Sequence, residues 1–416
     1  MKLLKIILSA IAVILLFAFS VEASENLYSG IVPDHYIVVL NDNIDKSLPE
    51  TANEMARIHG LGIGHIYTHA LKGFSAYIPE QRLEKLRSDP RVSFIDPDRL
   101  IHASGSFEAK AKPGPAPPPA GQVLPTGIKR INADLNTTLR PVDIDVAVLD
   151  TGIDLDHPDL NVSIERSVTF IRTRTGADDD NGHGTHVAGI IGAKDNDIGV
   201  VGVAPGARLW AVKVLDKNGS GTWSGVIAGI DWVTARAGII KVANMSLSGT
   251  GTDTDSTLRQ AIDNSVAAGI TYAVAAGNES TDAKNSVPAA YKSVITVSAI
   301  ADSNGQPGGG GPDTYYGPDD TFATFSNYGA DVDIAAPGVS INSTWKGGGY
   351  KIISGTSMAA PHVAGAAALY IDNNPGLSPA DVKAALINHG IDQGETGGFT
   401  GDPDNYHEPL LNAAGL

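Results

Sequence analysis

The sequence predicts an α/β protein: a mostly parallel sheet flanked by helices, preceded by a small α+β domain. Three observations lead there. From Gly121 onward, short apolar runs alternate with Ala- and Gly-rich stretches, the pattern of strands and covering helices. Before that, residues 24–103 carry a strand and helix pattern of their own. Between the two lies a Pro/Gly-rich stretch, and Pro117-Pro118-Pro119 can sit in neither a helix interior nor a central strand, so 104–120 reads as a linker.

At the N-terminus, Lys2 and Lys5 precede an apolar run from Ile6 to about Val21, with small residues near Ala23. This is the form of a secretory signal peptide over residues 1–23, and the run is shorter than the roughly 20 residues a membrane span needs. Secretion without a stable membrane anchor is the expectation, and a lipid anchor would need a cysteine that the chain lacks. In the first domain, Tyr36–Leu40 reads as a strand by its β-branched content, Ile44–His59 as a helix, Phe74–Ile78 as a strand, Gln81–Arg87 as a short helix and Val92–Ile95 as a strand. The order βαββαβ is the split-βαβ, ferredoxin-like arrangement. In residues 121–416 the expected strands are Ile144–Leu149, Leu209–Val214, Val242–Ser246, Thr271–Ala275 and Val294–Ser298. The expected helices are Val187–Ala193, Ser224–Ala237, Leu258–Ala268 and Met358–Tyr370, and the Gly-rich 303–320 reads as a surface loop.

Composition narrows the chemistry. The 416 residues include no Cys, which excludes disulfides, thiolate nucleophiles and Cys-bound metals and leaves hydroxyl, imidazole and carboxylate groups to act. The formal charge is −16, of which residues 121–416 carry −15. Such a field repels nucleic acid and suits divalent cations and an external medium.

Four candidate groups sit where a parallel sheet gathers its active residues, at strand ends and helix starts. Asp150 closes the run from Ile144, and Thr151-Gly152 turns the chain after it. Alone, Asp-Thr-Gly is a common turn, and the aspartic-protease reading would need a second copy, which is missing. His183 lies in Asn-Gly-His-Gly-Thr-His-Val-Ala-Gly, where small neighbours let a substrate backbone approach. His183 and His186 are not at the i, i+4 spacing of a zinc helix and have no Glu between them. Ser357 stands where Gly-Thr-Ser-Met-Ala-Ala-Pro opens a helix whose first N–H groups can donate to a developing oxyanion. The bland alternative there is an N-cap, with Thr356 as a further candidate, and Pro361 is expected near enough to the helix start to cost little. Asn278 follows the strand ending at Ala275 and offers a side-chain amide. Together an acid, an imidazole, a hydroxyl and an amide are the groups acyl transfer requires. An esterase of the Gly-x-Ser-x-Gly type would have the order Ser, acid, His, which is not found. A silent scaffold protein would have no need to keep every reacting group.

With these residues the chain resembles the subtilisin family of serine endopeptidases. The signatures Asp-Thr-Gly at Asp150, His-Gly-Thr-His-Val-Ala-Gly at His183 and Gly-Thr-Ser-Met-Ala-Ala-Pro-His-Val-Ala-Gly at Ser357 stand in the family's order, from roughly Gln122 to the C-terminus. The resemblance implies that Ser357 is the nucleophile, His183 the base, Asp150 its orienting partner and Asn278 an oxyanion donor, while His186 and His362 are structural. It implies substrate edges at Gly219-Ser220-Gly221 and Ser246-Leu247-Ser248, with Ala275-Ala276-Gly277 as the other pocket wall. Ser248 departs from the glycine common there. Protein substrates with apolar or aromatic residues before the cut, cleaved by a monomer, are expected. The N-terminal domain is similar to the family's inhibitory propeptide, to be cut off somewhere between about residues 101 and 121. A structural Ca²⁺ is implied at Gln122, Asp159, Lys194, Asn196, Ile198 and Val200, all oxygen ligands of the kind that cation takes. Pro288 matches a position that is often cis in the family.

Overall fold

The computed structural model describes residues 30–104, 107–108, 121–136, 141–254 and 257–416. The expected signal peptide and most of the expected linker lie outside them. Gly60, at the end of the first helix, holds the left-handed backbone that a helix C-terminus favours.

The N-terminal domain runs β1 (Ile31–Leu40), α1 (Leu48–His59), β2 (Gly62–Tyr67), β3 (Gly73–Tyr77), α2 (Glu80–Arg87) and β4 (Val92–Ala103), the βαββαβ order expected. Ser47 and Glu50 form a capping box at α1 with Pro49 in its first turn, so the helix begins at Leu48 and not at Ile44. Antiparallel pairing gives the order β4-β1-β3-β2, and Val38, Leu40, Phe74 and Ile78 pack with Met55, Leu83 and Leu86 of the two helices. Strand β4 is much longer than the expected Val92–Ile95. Its last residues leave the domain and pair with the rest of the chain, a long-range effect that local propensity does not carry.

Beyond a two-residue strand β5 (Phe107–Glu108), the chain continues as α3 (Thr126–Arg130), β6 (Asp145–Asp150), β7 (Val168–Thr169), α4 (His183–Gly192), β8 (Arg208–Lys213), β9 (Ser220–Thr222), α5 (Trp223–Thr234), β10 (Ile240–Met245) and β11 (Leu247–Thr250). Then follow α6 (Thr257–Ala267), β12 (Thr271–Ala275), β13 (Ser286–Val287), β14 (Ile295–Ala301), β15 (Thr321–Phe322), β16 (Ile334–Pro337), β17 (Ile341–Trp345), β18 (Gly349–Ser354), α7 (Thr356–Asn373) and α8 (Pro379–His389). The central sheet runs β7-β8-β6-β10-β12-β14-β16, all parallel, with β15 antiparallel beside β14. Alternation along β6 explains its burial on both faces. Val146 and Val148 pack toward α4 and α7, whereas Ala147 and Leu149 pack toward α5 and α6. The strand order grows in opposite directions from β6, and the crevice at that reversal is where Asp150 and the end of β10 meet.

Several elements went unread in the sequence. Helix α8 has an explicit signal, the capping box of Ser378 and Asp381 with Pro379 in the first turn. The β17–β18 hairpin turns at Gly347 and Gly348, both left-handed. Part of the expected linker is strand, since Phe107–Glu108 pairs antiparallel with β18. The Val287–Pro288 bond is cis, as expected.

Candidate active site

The Asp150 carboxylate ends β6, and the His183 imidazole begins α4. His183 Nδ1 lies 2.8 and 3.0 Å from the two Asp150 oxygens, with both side chains buried. Burial works against the imidazolium, and the Asp150 charge with its hydrogen bond outweighs that, holding the His183 pKa above the ordinary imidazole value. His183 Nε2 is buried with no hydrogen-bond partner among the described residues. Close approach of these loops depends on Gly184, where a Cβ would stand 2.1 Å from the Gly152 carbonyl oxygen.

Sequence reasoning missed what locks the two loops together. Thr151 N donates to Asp150 Oδ1 (2.7 Å), and the Thr151 hydroxyl accepts from Gly184 N (2.9 Å) while donating to Asp179 Oδ1 (3.0 Å). The buried Asp179 carboxylate also takes Asn181 N, Gly182 N, Thr185 N and the Thr185 hydroxyl. Burial nonetheless pushes its pKa up. Beneath them the fully buried Lys213 ammonium donates to the Thr151 carbonyl and to Asp180 Oδ1 (2.7 Å). Its position opposite Asp150 in the β6–β8 ladder is the signal that could have found it, a lone cation ending an apolar strand.

Ser357 is the second residue of α7. Its hydroxyl donates to the Ser104 carbonyl (2.6 Å) and contacts the Ser246 carbonyl (3.2 Å). Thr356 does not cap the helix. Gly355 holds that position, and the Thr356 N–H and hydroxyl both donate to Asn278 Oδ1 (2.8 and 3.0 Å), which ties the amide to the nucleophile's helix. Pro361 lies deeper in α7 than the sequence suggested. Lacking an N–H, it leaves the Ser357 carbonyl without its helical donor, and the Ser246 hydroxyl supplies one at 2.8 Å. Asn244 in turn donates to that hydroxyl (2.9 Å).

Ala275, Ala276 and Gly277 run behind this helix. Gly277 N donates to the Thr356 hydroxyl (3.2 Å), and Asn327 donates to the Ala276 carbonyl (3.0 Å) and accepts from Glu279 N and Thr281 N. Gly277 has φ +108°, and a Cβ there would meet Asn327 Nδ2 at 2.2 Å, so the turn that presents Asn278 requires glycine. His186 Nε2 donates to the Ile341 and Lys351 carbonyls, and His362 Nδ1 donates to the Met358 carbonyl. Burial lowers their pKa values to about 3 and about 4, which suits neutral structural histidines.

The two expected substrate edges are occupied by the N-terminal domain's own chain. Strand β4 pairs Ile101 with Gly221 and His102 with Ser220 on one side, and His102 with Ser248 and Ala103 with Leu247 on the other. Ala103 N donates to the Gly219 carbonyl (2.8 Å) and Ser104 N to the Ser246 carbonyl (3.1 Å). The same domain caps the helices beside the cleft: Asp98 accepts from Ser224 N (3.0 Å) at the start of α5, and Asp96 from Thr257 N (3.1 Å) at the start of α6. Asp231 of α5 reciprocates, one oxygen taking Thr68 N, His69 N and Ala70 N.

The six residues expected around calcium are brought together. Lys194 N donates to the Asp159 carbonyl, and Gln122 Oε1 accepts from Asn196 N (2.9 Å). Asp159 accepts from Asn196 Nδ2 (3.0 Å), Val200 N (3.0 Å) and Tyr350 OH (3.2 Å). Asn196 Oδ1 faces Ile198 N (2.8 Å). Among the described residues, no three His, Asp or Glu side chains converge on a metal position, so a cation here would depend on amide and carbonyl oxygens. The donor set fits one: Asp159 is fully buried, these partners are all neutral, and burial raises its pKa.

A buried Asp–His pair, a hydroxyl on a helix start and an inhibitor strand in the cleft define a serine peptidase with a pro-domain. The chain belongs to the subtilase family of serine proteases. The subtilase family model matches residues 143–405, and the peptidase inhibitor I9 model matches residues 35–104. The chain is 34% identical over 365 residues to alkaline serine exoprotease A of Vibrio alginolyticus, covering 86% of this chain and 64% of that protein's length. It is 35% identical over 412 residues to the thermostable alkaline protease of Halalkalibacterium halodurans, with 99% and 98% covered. Among solved structures, a cold adapted subtilisin-like serine proteinase aligns with TM-score 0.55 and 36% identity, over 69% of this chain and 97% of that one.

Proposed function

We propose that this protein is a secreted, self-processed endopeptidase in which Ser357, His183 and Asp150 form the triad and Asn278 with the Ser357 N–H binds the oxyanion. The observation that carries the reading is the Ser357 hydroxyl on a peptide carbonyl, and with it a His183 whose Nδ1 is held by Asp150 while its Nε2 is uncommitted. Ser357 attacks as its proton passes to His183 Nε2, and Asp150 fixes the tautomer that leaves Nε2 able to accept it. The developing charge falls beside the N-terminus of α7, where backbone donors are already oriented.

Main-chain pairing along Gly219–Gly221 and Ser246–Ser248 supports broad specificity, because ladder bonds read no side chain. The preference for apolar or aromatic residues before the cut rests on the resemblance. Export is supported by the leader-like residues 1–23, and no helix among the described residues is long and apolar enough to cross a membrane. The released enzyme acts as a monomer on proteins. An organophosphorus reagent should inactivate the enzyme with one label on Ser357, read by peptide mass. Labelling at another residue, or none, overturns the assignment.

The same reading includes a structural Ca²⁺ held by Asp159, Asn196 and Gln122 side chains and the Lys194, Ile198 and Val200 carbonyls. The cation supplies charge that the buried Asp159 otherwise lacks, and it ties the 194–200 loop to the chain around Gln122. Chelation is expected to lower the melting temperature by several degrees, since a bound cation adds a stabilisation set by its concentration over Kd. An unchanged melting temperature in the Ca²⁺-loaded and chelated forms would remove the site.

A further inference from the structure

The composition of residues 101–121 does not single out one processing bond, but the cleft does. We infer that maturation cuts the bond between Ser104 and Gly105, with Ser104 as the acyl group. This rests on the peptidase reading above and adds the identity of its first substrate.

Four observations converge on Ser104. Its carbonyl is the one that the Ser357 hydroxyl reaches, at 2.6 Å. Its N–H is held by the Ser246 carbonyl, next to the contact of Ser246 with Ser357 itself. Of the three residues before it, Ile101 and His102 pair with β9, and His102 and Ala103 pair with β11, so the strand cannot slide without breaking two ladders. Downstream, Phe107 pairs with Ser354 and Glu108 with Ile353 of β18, so the chain is held on the far side of the bond as well. A cut between two clamped segments is what an endopeptidase cleft requires.

Side-chain alternation fixes the register. Ile101 is fully buried in the cluster containing Trp223 and Leu247, His102 is exposed, and Ser104 is buried. Sliding the strand by one residue would drive His102 into the apolar site and lift Ile101 out of it. Neighbouring bonds are therefore excluded by burial as well as by hydrogen bonding.

The step balances without a further reactant except water. Ser357 Oγ adds to the Ser104 carbonyl carbon, and its proton goes to His183 Nε2. The C–N bond to Gly105 breaks as that proton passes to the nitrogen, which leaves as a new α-amino group. Water then adds to the acyl ester. Its hydroxyl stays on Ser104 as a carboxylic acid, and its proton returns through His183 to Ser357.

The test uses the full precursor with any leader removed. Wild-type protein should yield a fragment ending in Ser104 and one beginning at Gly105, read by intact mass and N-terminal sequencing. Ser104→Pro deletes the N–H given to Ser246 and should slow cutting at this bond at least about 100-fold, whereas Ser104→Ala keeps that N–H and should stay within about threefold. A Ser357-dependent cut at any other bond overturns the inference and leaves the peptidase reading intact. Absence of any Ser357-dependent cut removes both. Unchanged cutting of Ser104→Pro at the same bond also overturns it.

Discussion

Ser357→Ala should lower kcat by about 10⁶-fold, the size measured in a subtilisin, a member of this same family, and should leave the precursor in one piece. The reason is that nothing else near the Ser104 carbonyl can form the acyl bond: the neighbouring hydroxyls of Thr356 and Ser246 are committed to Asn278 and to the Ser357 carbonyl. The fold should survive, because the lost hydroxyl donates only to two carbonyls in the cleft and the helix N-terminus is held by Asn278 at Thr356 N. The check is a gel and intact mass of purified precursor with turnover of a peptide substrate. Appearance of the mature form without added protease, at the wild-type rate, would mean that another group performs the chemistry.

Asp150→Asn should cost roughly 10⁴-fold in kcat, the scale of the same change in another Ser-His-Asp triad, with KM little changed. An amide in place of the carboxylate can donate to His183 Nδ1, which favours the tautomer whose Nε2 carries the proton and cannot accept one. The pH profile gives a separate readout. His183 must be neutral to act as base, and its pKa is raised by Asp150 despite burial, so the acid limb of kcat/KM should lie above the ordinary imidazole range. Removing the carboxylate should move that limb to lower pH while the plateau falls. The linked stability has the opposite sense: a raised folded-state pKa stabilises the protein fully below the unfolded value and is lost as pH rises through the folded one. An acid limb unmoved in the variant would show that the Asp150 charge is not what holds the imidazole.

Legibility followed the range of the forces involved. The triad candidates could be read because each sits in a dense local pattern of Gly, Ala and Thr that lets backbones approach, as at Gly184. Strands Ile144–Leu149 and Thr271–Ala275 were legible because burial on both faces leaves apolar runs, Val146–Leu149 and Tyr272–Ala275. The hairpin of β17 and β18 carried weaker alternation, and β9 and β11 are short segments defined by their pairing with β4. Pro361 was misjudged, since the helix start is fixed by Gly355 and the missing bond is replaced by Ser246, a residue 111 positions away in sequence.

By itself, the sequence determined the α/β class, the small α+β domain ahead of it, the candidate reacting residue types and the exclusion of thiol chemistry. These are properties of composition and short-range periodicity, which need no partner in space. Only the tertiary structure decided that Asp179 and Lys213 lock the Asp150 and His183 loops, that Asn327 builds the turn presenting Asn278, and that Ser104 rather than a neighbour meets Ser357. Each of these depends on hydrogen bonds or strand register between segments far apart in the chain, and such pairings exist only after the sheet has brought their ends to one crevice.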